Sequence, residues 1–350
     1  MKPWMIYGAN GYTGTLIAQA ATAAGHRPIL AGRNRDAVGP LARKLGLEKR
    51  IFPLLGPRSI EASLEGIGLV LNCAGPFVDT TPPLLAACLE AGAHYLDITG
   101  EIEVFAHCHA RHEHAQSRGI VILPGVGFDV IPSDCVSLML KHALPRADEL
   151  ILSIEAEGGP SPGTARTGLM SLGQSGRVRI RGKLQRVPLA WKTRSMIRDG
   201  IERQAVTIPW GDLYTAWVST GIPNIETYLA MPPHAIRRLR RLRWIRPLLR
   251  VGPLRQRLED RMVRGIHGPD DATRAATHAY VTGEVHSADG GSATMTLQTP
   301  NGYTLTASAA LASVEHVLAM PPAPGYYTPA QALGAEFVLG LPGVHRIDGH

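Results

Sequence analysis

Three glycines stand three residues apart near the start of the chain, in the stretch YGANGYTG at residues 7–14. In a strand–turn–helix unit, Gly8 permits a tight turn, Gly11 lets the backbone approach a pyrophosphate, and Gly14 allows close packing of the helix. The N-terminus of that helix then faces the phosphates. The spacing predicts a dinucleotide-binding turn, and a purely structural turn is the alternative. The predicted contacts with the dinucleotide are Gly8, Asn10, Gly11, Tyr12, Thr13 and Gly14.

The end of the next apolar run, RPILAGR, indicates which dinucleotide binds. A site for NAD usually places Asp or Glu there to bind the ribose 2′-hydroxyl. Here the run continues as AGRNR, and no acidic residue occurs before Asp36. Arg33 and Arg35 can instead pair with a 2′-phosphate through charge-assisted hydrogen bonds. We therefore predict NADP(H) as the cofactor, with two solvated arginines as the alternative. The residues predicted at this part of the site are Gly32, Arg33 and Asn34.

A second loop, NCAGPF, follows the fourth predicted strand. Its glycine and proline shape a loop that leaves the strand beside the cofactor, so its backbone groups can hold the nicotinamide ribose. The alternative is that this loop only reverses the chain. The residues predicted to contact the cofactor here are Asn72, Ala74, Gly75, Pro76 and Phe77.

Polar side chains in the stretch GFDVIPSD are candidates for catalysis. Reduction of a conjugated bond requires a hydrogen-bond donor for the developing oxyanion and a source of a proton. We predict these roles for Asp129, Ser133 and Asp134, since Pro132 is placed to begin a helix with Ser133 near its N-terminus. N-terminal capping is the alternative for both aspartates. The stretch DITGE at residues 97–101 divides in the same way between site and cap.

The elements that must position these residues follow two patterns. Strand-like and helix-like stretches alternate up to about residue 145, which predicts a parallel sheet with helices on both faces. Later stretches, including GGSATMTLQTPNGYTLTASAA, indicate antiparallel strands. We predict an α/β protein whose N-terminal Rossmann domain, with a doubly wound parallel sheet, spans residues 1–130. A second α+β domain on a largely antiparallel sheet spans 131–327, for substrate binding and dimerisation. A helix over 328–344, beginning at Thr328, packs back on the first domain.

The positive charge of the chain is concentrated in one stretch. The net charge of the 350 residues is +7, and eleven arginines against two acids lie between Pro233 and Gly265. Apolar residues spaced by three or four within residues 236–264 predict an amphipathic helix, which Pro247 and Pro253 interrupt. A solvated face is one interpretation; an acidic carrier protein or peripheral contact with an anionic membrane are the others. We predict no nucleic-acid partner, because Trp244 is the only aromatic residue in this stretch.

Other sequence features predict the class of protein and its compartment. No run of eighteen apolar residues and no signal-peptide pattern are present, so we expect a cytoplasmic protein without a transmembrane segment. The four cysteines lack C-x-x-C spacing, which is typical of reduced thiols. The histidines of HCHARHEH do not converge on one face of a helix, so we expect no metal.

The order of several motifs resembles the saccharopine dehydrogenase-like NAD(P)-dependent oxidoreductases, and within them the branch of trans-acting enoyl reductases. The motifs are GANGYTG, LAGRN, NCAGPF, YLDITGE, GFDVIPSD, PWGD, GIPN and NGYTLTA. The resemblance implies a Rossmann domain and a second α/β domain that holds substrate, with NCAGPF and GFDVIPSD lining the cleft. It also implies an NADP(H)-dependent oxidoreductase that reduces a C=C bond in an acyl or polyketide-type substrate, which a carrier protein presents in one version of this hypothesis.

Two alternatives to this function stay open. One is reduction of an imine or oxidation of a secondary amine, as in the namesake of the family. The other is a non-catalytic NADP-binding scaffold, because no residue in the sequence by itself proves catalysis. In either case we expect a homodimer.

Overall fold

The computed structural model of the protein describes residues 2–172, 175–198, 200–245 and 265–347. The described residues of Met1–Ile131 and Gly302–Pro342 form one unit, called unit 1. Those of Pro132–Asn301 and Gly343–His350 form a second, called unit 2.

Unit 1 is built on a parallel sheet. In the described residues, its strands are β1 Trp4–Tyr7, β2 Ile29–Gly32, β3 Lys49–Ile51, β4 Leu69–Asn72, β5 His94–Asp97, β6 Val121–Leu123 and β15 Gly325–Tyr326. They lie in the order β15–β6–β5–β4–β1–β2–β3. This is the strand order of the Rossmann fold, which was predicted for this domain, extended by one short strand. The central strands β1, β2 and β4 are buried at every residue, as continuous apolar runs require in a sheet covered on both faces.

Helices of unit 1 connect these strands. They are α1 Tyr12–Ala23, α2 Arg35–Leu45, α3 Pro57–Ser63, α4 Phe77–Ala91, α5 Ile102–His109, α6 His112–Arg118, α12 Gly302–Ala319 and α13 Pro329–Leu333, with a short 3-10 helix at Phe337–Gly340. Helix α12 packs along α1. Because parallel strands share one orientation, the loops after β1, β4, β5 and β6 all leave the same edge of the sheet.

Unit 2 is built on a mixed, mostly antiparallel sheet, as predicted. Its described strands are β7 Glu149–Ala156, β8 Gly176–Ile180, β9 Lys183–Val187, β10 Thr193–Arg198, β11 Ile201–Thr207, β12 Asn224–Ala230, β13 His278–His286, β14 Ser292–Pro300 and β16 His345–Ile347. The order is β10–β11–β12–β7–β13–β14–β16, with the β8–β9 hairpin beside β12, and among these described strands only β12 and β7 run parallel.

Helices of unit 2 cover part of this sheet. They are α7 Ile131–Ala143, α8 Pro162–Leu172, α9 Asp212–Thr220, α10 Pro233–Ile245 and α11 Asp271–Ala276. Helix α7 packs where β13 has a glycine, since a Cβ on Gly283 would lie 2.5 Å from Cγ1 of Val136 and 2.7 Å from Cδ1 of Leu140. The absence of a side chain at Gly283 therefore sets how closely α7 lies on the sheet.

The motif NGYTLTA was predicted as strand, and that prediction is wrong. These residues begin α12, whose apolar residues recur every three or four positions and are buried, among them Leu305, Ala309, Val314 and Val317. The alanine-rich composition favours helix over strand. Residues 302–327 consequently lie in unit 1 rather than in the second domain where we expected them.

The helix expected over 328–344 is much shorter. Thr328 does begin it, with a capping box in which its side chain accepts from the N–H of Gln331 while the Gln331 side chain accepts from the N–H of Thr328. The helix ends at Leu333 because Gly334, with φ of +97°, follows. Two other departures are that DLYTAW, predicted as strand, begins α9, and that the histidine-rich stretch lies in two helices, α5 and α6.

Candidate functional site

The glycine turn after β1 has the geometry that its sequence predicts. Gly8 has φ of +79°, and a Cβ there would lie 2.8 Å from the backbone N of Ala74. A Cβ on Gly14 would lie 2.4 Å from the carbonyl oxygen of Gly8, so α1 packs directly against the turn. At Gly11 the nearest atom to an added Cβ is 3.2 Å away, and it belongs to the turn itself. Side chains are therefore excluded from the path by which a phosphate would approach the backbone.

The N-terminus of α1 differs from that of α2. Gly11 is the N-cap of α1 and provides no side-chain hydrogen bond to the first turn, which begins with Tyr12 and Thr13. On α2, in contrast, Oδ1 of Asn34 accepts from the N–H of Asp36 at 2.9 Å and from that of Ala37 at 3.3 Å. An anion at the uncapped end of the twelve-residue helix α1 would supply the acceptor that its side chains do not.

The end of β2 lies beside this turn. A Cβ on Gly32 would be 3.0 Å from Oδ1 of Asn10. The glycine turn therefore packs against the end of β2, directly before Arg33. Arg33 and Arg35 are exposed. The positive charge of Arg33 also reaches Tyr7, where burial raises the pKa to about 12 and Arg33 acts in the opposite direction. The arginine is thus available to a phosphate at the end of β2, whereas Asn34 has its side-chain oxygen engaged in capping α2.

The NCAGPF loop is held by a network below it. Asn72 is fully buried; its Nδ2 donates to Thr80 Oγ1 and to the Tyr95 hydroxyl, each at 3.1 Å, and its Oδ1 accepts from the N–H of Ala74 at 3.0 Å. The Gly75–Pro76 peptide bond is cis. The hydrogen bonds of Asn72 thus shape the loop. Ala74 of this loop lies against Gly8 of the glycine turn.

A buried carboxyl group extends this network to β5. Asp97 accepts from the N–H groups of Thr99 and Gly125 on Oδ1, and Oδ2 lies 2.9 Å from the Tyr95 hydroxyl. Burial raises the pKa of Asp97 to about 7, although these hydrogen bonds act in the opposite direction. Since protein donors occupy both oxygens, Asp97 orders the loops after β5 and β6 rather than facing a substrate.

Glu101 caps the helix that follows the NCAGPF loop. Its Oε1 accepts from the N–H of Phe77 at 3.0 Å and its Oε2 from the N–H of Val78 at 2.8 Å. Burial raises the pKa of Glu101, and the two backbone hydrogen bonds act against that rise. A carboxylate at the N-terminus of α4 stabilises this helix. The cap comes from Glu101 in the loop after β5, whereas α4 itself follows β4.

Asp129, the predicted acid, lies in unit 1 on the loop after β6. A Cβ on Gly100 would lie 3.0 Å from its Oδ2. Burial raises the pKa of Asp129 to about 6, and the negative charge of Glu101 adds to the rise. The side chain is therefore a carboxyl group with a raised pKa, at the sheet edge that carries the glycine turn.

Ser133 and Asp134 lie in unit 2, on α7, and the structure does not place them in the same unit as Asp129. Both side chains are buried, and the Ser219 hydroxyl donates to Oδ1 of Asp134 at 2.6 Å. This contact joins α7 to α9, which is a structural use of Asp134. A catalytic role for either residue stays a prediction.

Sequence reasoning missed two residues of this region, Tyr303 and Thr306. The ring of Tyr303 lies edge to face with that of Tyr12, and Thr306 accepts a hydrogen bond from the N–H of Phe128. The motif NGYTLTA was the only available signal, and its assignment to a strand hid this arrangement.

The part of the chain that the structure describes contains no group of three or more His, Cys, Asp or Glu side chains arranged to hold a metal ion. Two of the histidines have structural contacts: His109 stacks on Tyr326, and Nδ1 of His112 accepts from the Tyr326 N–H at 3.1 Å. Among the described helices, none combines the length and apolar character needed to cross a membrane.

Comparison with known families assigns the first part of unit 1. Residues 4–123 match the family model for the saccharopine dehydrogenase NADP binding domain. This stretch is therefore similar to the NADP-binding domain of saccharopine dehydrogenases. The match confirms the predicted cofactor, NADP(H), and the predicted family resemblance for this domain. The turn at Gly8–Gly14, the end of β2 and the NCAGPF loop all lie inside it.

Two curated relatives resemble parts of the chain. A trans-acting enoyl reductase from Mycobacterium tuberculosis is 34% identical over 138 residues, which is 37% of this chain and 33% of that protein. A saccharopine dehydrogenase-like oxidoreductase from Mus musculus is 29% identical over 203 residues, which is 50% of this chain and 47% of that protein. The matched regions thus span about a third to a half of the length of these relatives.

The fold extends beyond the NADP-binding domain. Saccharopine dehydrogenase (L-Glu forming) from Saccharomyces cerevisiae superposes with a TM-score of 0.67, covering 99% of this chain and 100% of that one, at 11% identity. This similarity confirms the two-part α/β fold predicted from the sequence.

Proposed function

We propose that the protein is an NADPH-dependent oxidoreductase that reduces a C=C bond conjugated to a carbonyl group in an acyl or polyketide-type substrate. The observation that carries this proposal is the place of Asp129. It is a partly buried carboxyl group whose pKa burial raises to about 6, on a loop at the edge of the NADP-binding sheet where the glycine turn lies. The enoyl reductase among the relatives supports the same reaction class.

The chemistry requires two contributions from the protein. NADPH, when bound, supplies a hydride. Addition of hydride to the β-carbon of a conjugated C=C bond leaves an enolate, so the protein must stabilise the oxygen and deliver a proton to the α-carbon. We assign proton delivery to Asp129, because burial raises its pKa to about 6 and a carboxyl group with a raised pKa can act as a general acid. Ser133 is a candidate donor for the oxyanion.

We assign the binding of NADPH to residues of unit 1. The backbone of Gly8–Gly14 and the first turn of α1 would hold the pyrophosphate, and Arg33 would pair with the 2′-phosphate. The loop from Ala74 to Phe77 would lie along the nicotinamide ribose, on the framework that Asn72 and Glu101 stabilise.

Reduction of an amino-acid imine is less well supported. That substrate carries carboxylates, which arginines of the second domain would have to bind. Three described arginines of the unit 2 sheet already pair with glutamates: Arg194 with Glu284, and both Arg198 and Arg203 with Glu155. Their use for a substrate carboxylate would require these ion pairs to break.

Helix α10 is the candidate surface for a carrier protein. Ile236 and Leu239 are buried in a cluster with Leu189 and Val206, whereas Arg237, Arg238 and Arg241 are exposed. The described part of the apolar stripe is thus used inside unit 2, and what faces outward is charge. This arrangement favours an acidic partner over a helix that inserts into a membrane. Residues 246–264 of the predicted stretch lie outside the described residues.

The compartment and oligomeric state are part of the proposal. All four cysteines are free thiols, which suits the reducing cytoplasm. We further propose a homodimer, and sedimentation of the purified chain at several concentrations tests it.

Turnover with defined substrates tests the reaction. The purified full chain is mixed with NADPH and either an enoyl thioester or a keto acid with an amine, and the loss of NADPH absorbance is followed. We expect oxidation with the enoyl thioester only. Oxidation with the keto acid and amine would contradict C=C reduction, and NADPH binding without oxidation by any substrate would favour the scaffold.

A further inference from the structure

The first turn of α12 contacts two parts of unit 1 that are distant in sequence. The Tyr303 and Tyr12 rings lie edge to face, with centroids 4.9 Å apart and planes at 80°. Tyr12 is the first residue of α1, directly after Gly11 of the glycine turn. Three residues further along α12, Oγ1 of Thr306 accepts from the N–H of Phe128 at 3.0 Å, and Phe128 precedes Asp129.

The contact between α12 and the Asp129 loop is tightly packed. A Cβ on Gly302 would lie 3.0 Å from Cδ1 of Phe128, and a Cβ on Gly127 would lie 3.0 Å from Cγ2 of Thr306. The Thr306 hydroxyl itself donates to the Gly302 carbonyl at 2.8 Å. Without free space on either side, the loop cannot shift unless the first turn of α12 shifts with it.

We propose that the first turn of α12 is part of the NADP(H) site. In this assignment Tyr303 is a cofactor-site residue that fixes Tyr12 at the N-terminus of α1, and Thr306 is a positioning residue that fixes the loop carrying Asp129. The contacts made by α12 then transmit the effect of cofactor binding at the glycine turn to the loop that carries Asp129. The inference requires that NADP(H) binds at the glycine turn, and it does not depend on which bond the enzyme reduces.

Each of the two residues has a definite chemical task. The Tyr303 ring lies edge to face with the Tyr12 ring, and this contact requires an aromatic ring. The Thr306 hydroxyl supplies the acceptor for a buried backbone N–H, which would otherwise lose its partner. Phenylalanine can therefore replace Tyr303 and serine can replace Thr306, whereas alanine and valine, respectively, cannot.

Hydrogen exchange of the full chain with and without NADPH tests the proposal. In the wild type, we expect NADPH to slow backbone exchange both at residues 8–14 and at 124–131. Thr306→Val should keep the protection at 8–14 and lose the NADPH-dependent protection at 124–131, and Thr306→Ser should restore it. Thr304→Val is the matched control, because it makes the same chemical change at an exposed position of the same helix.

Titration of NADPH by fluorescence supplies the second readout. Tyr303→Ala should weaken NADPH binding by up to about tenfold, the loss expected for one aromatic pair, while Tyr303→Phe should bind as the wild type does. Circular dichroism confirms that each variant is folded. Wild-type protection at 124–131 in Thr306→Val, or wild-type affinity in Tyr303→Ala, would overturn the assignment. A wild-type chain that shows no NADPH-dependent protection at 8–14 would instead refute the cofactor site itself.

Discussion

At the scale of single residues, we predict that one positive charge at the end of β2 decides which dinucleotide the domain prefers. Arg33 is exposed there and no acidic residue precedes Asp36. A charge-assisted hydrogen bond to the 2′-phosphate predicts that NADPH binds at least about tenfold more tightly than NADH. Arg33→Ala should make the affinities for NADPH and NADH similar, because it weakens the binding of NADPH alone. Fluorescence titration with both cofactors measures this change. Arg58→Ala, which removes an exposed charge elsewhere in unit 1, should leave the ratio unchanged. Equal affinities in the wild type would remove Arg33 from the site.

The protonation of Asp129 makes a prediction about pH. If the protonated carboxyl delivers the proton, turnover should fall as the pH rises through about 6. Asp129→Asn should slow turnover by about 100-fold or more and abolish this dependence, while NADPH affinity changes little. A pH profile of kcat for both proteins measures the effect.

Thermal melting separates this role from helix capping. Burial raises the pKa of Asp129 above its ordinary value of 3.8, so the stability that the protonated group contributes is present below pH 3.8 and is lost as the pH rises through about 6. Asn cannot ionise, so Asp129→Asn should melt at a higher temperature than the wild type at pH 8. A capping aspartate would give the opposite sign, with a lower melting temperature for the variant.

At the scale of elements, α10 tests whether a carrier presents the substrate. Arg237→Glu, Arg238→Glu and Arg241→Glu together should raise KM for a carrier-bound enoyl substrate and leave a small enoyl thioester unaffected. Arg240 is kept, because its Nε contacts the Ala190 carbonyl at 3.4 Å. Salt should weaken the wild-type preference, since exposed charges are screened over about 10 Å at 0.1 M.

The same charge reversal at Arg43, Lys44 and Arg58 is the control, because all three are exposed in unit 1. If the α10 variant and this control behave alike with both substrates, the basic face of α10 is only solvated.

The secondary-structure elements also show how much of the fold could be predicted from the sequence. The glycine turn and the strands of the Rossmann sheet were predictable, because their apolar runs and glycine positions are local signals. Helix α12 was not predictable, because over a short stretch its apolar residues fit both the helical and the strand period. Only its alanine content favours a helix over a strand. The helix that Glu101 caps and the role of Thr306 were also hidden, since each acts on a backbone N–H that lies 23 or more residues away in the chain. Contacts at that separation depend on the fold and leave no mark in local spacing.

At the scale of the whole molecule, we propose that the chain transfers a hydride from NADPH to carbon of a C=C bond. NADPH that carries deuterium at both C4 hydrogens tests this proposal, with the full chain and an enoyl thioester in ordinary water. We expect a saturated thioester with deuterium at the β-carbon and hydrogen from water at the α-carbon. Deuterium transferred only to a carbon bonded to nitrogen, when a keto acid and an amine are supplied, would contradict it.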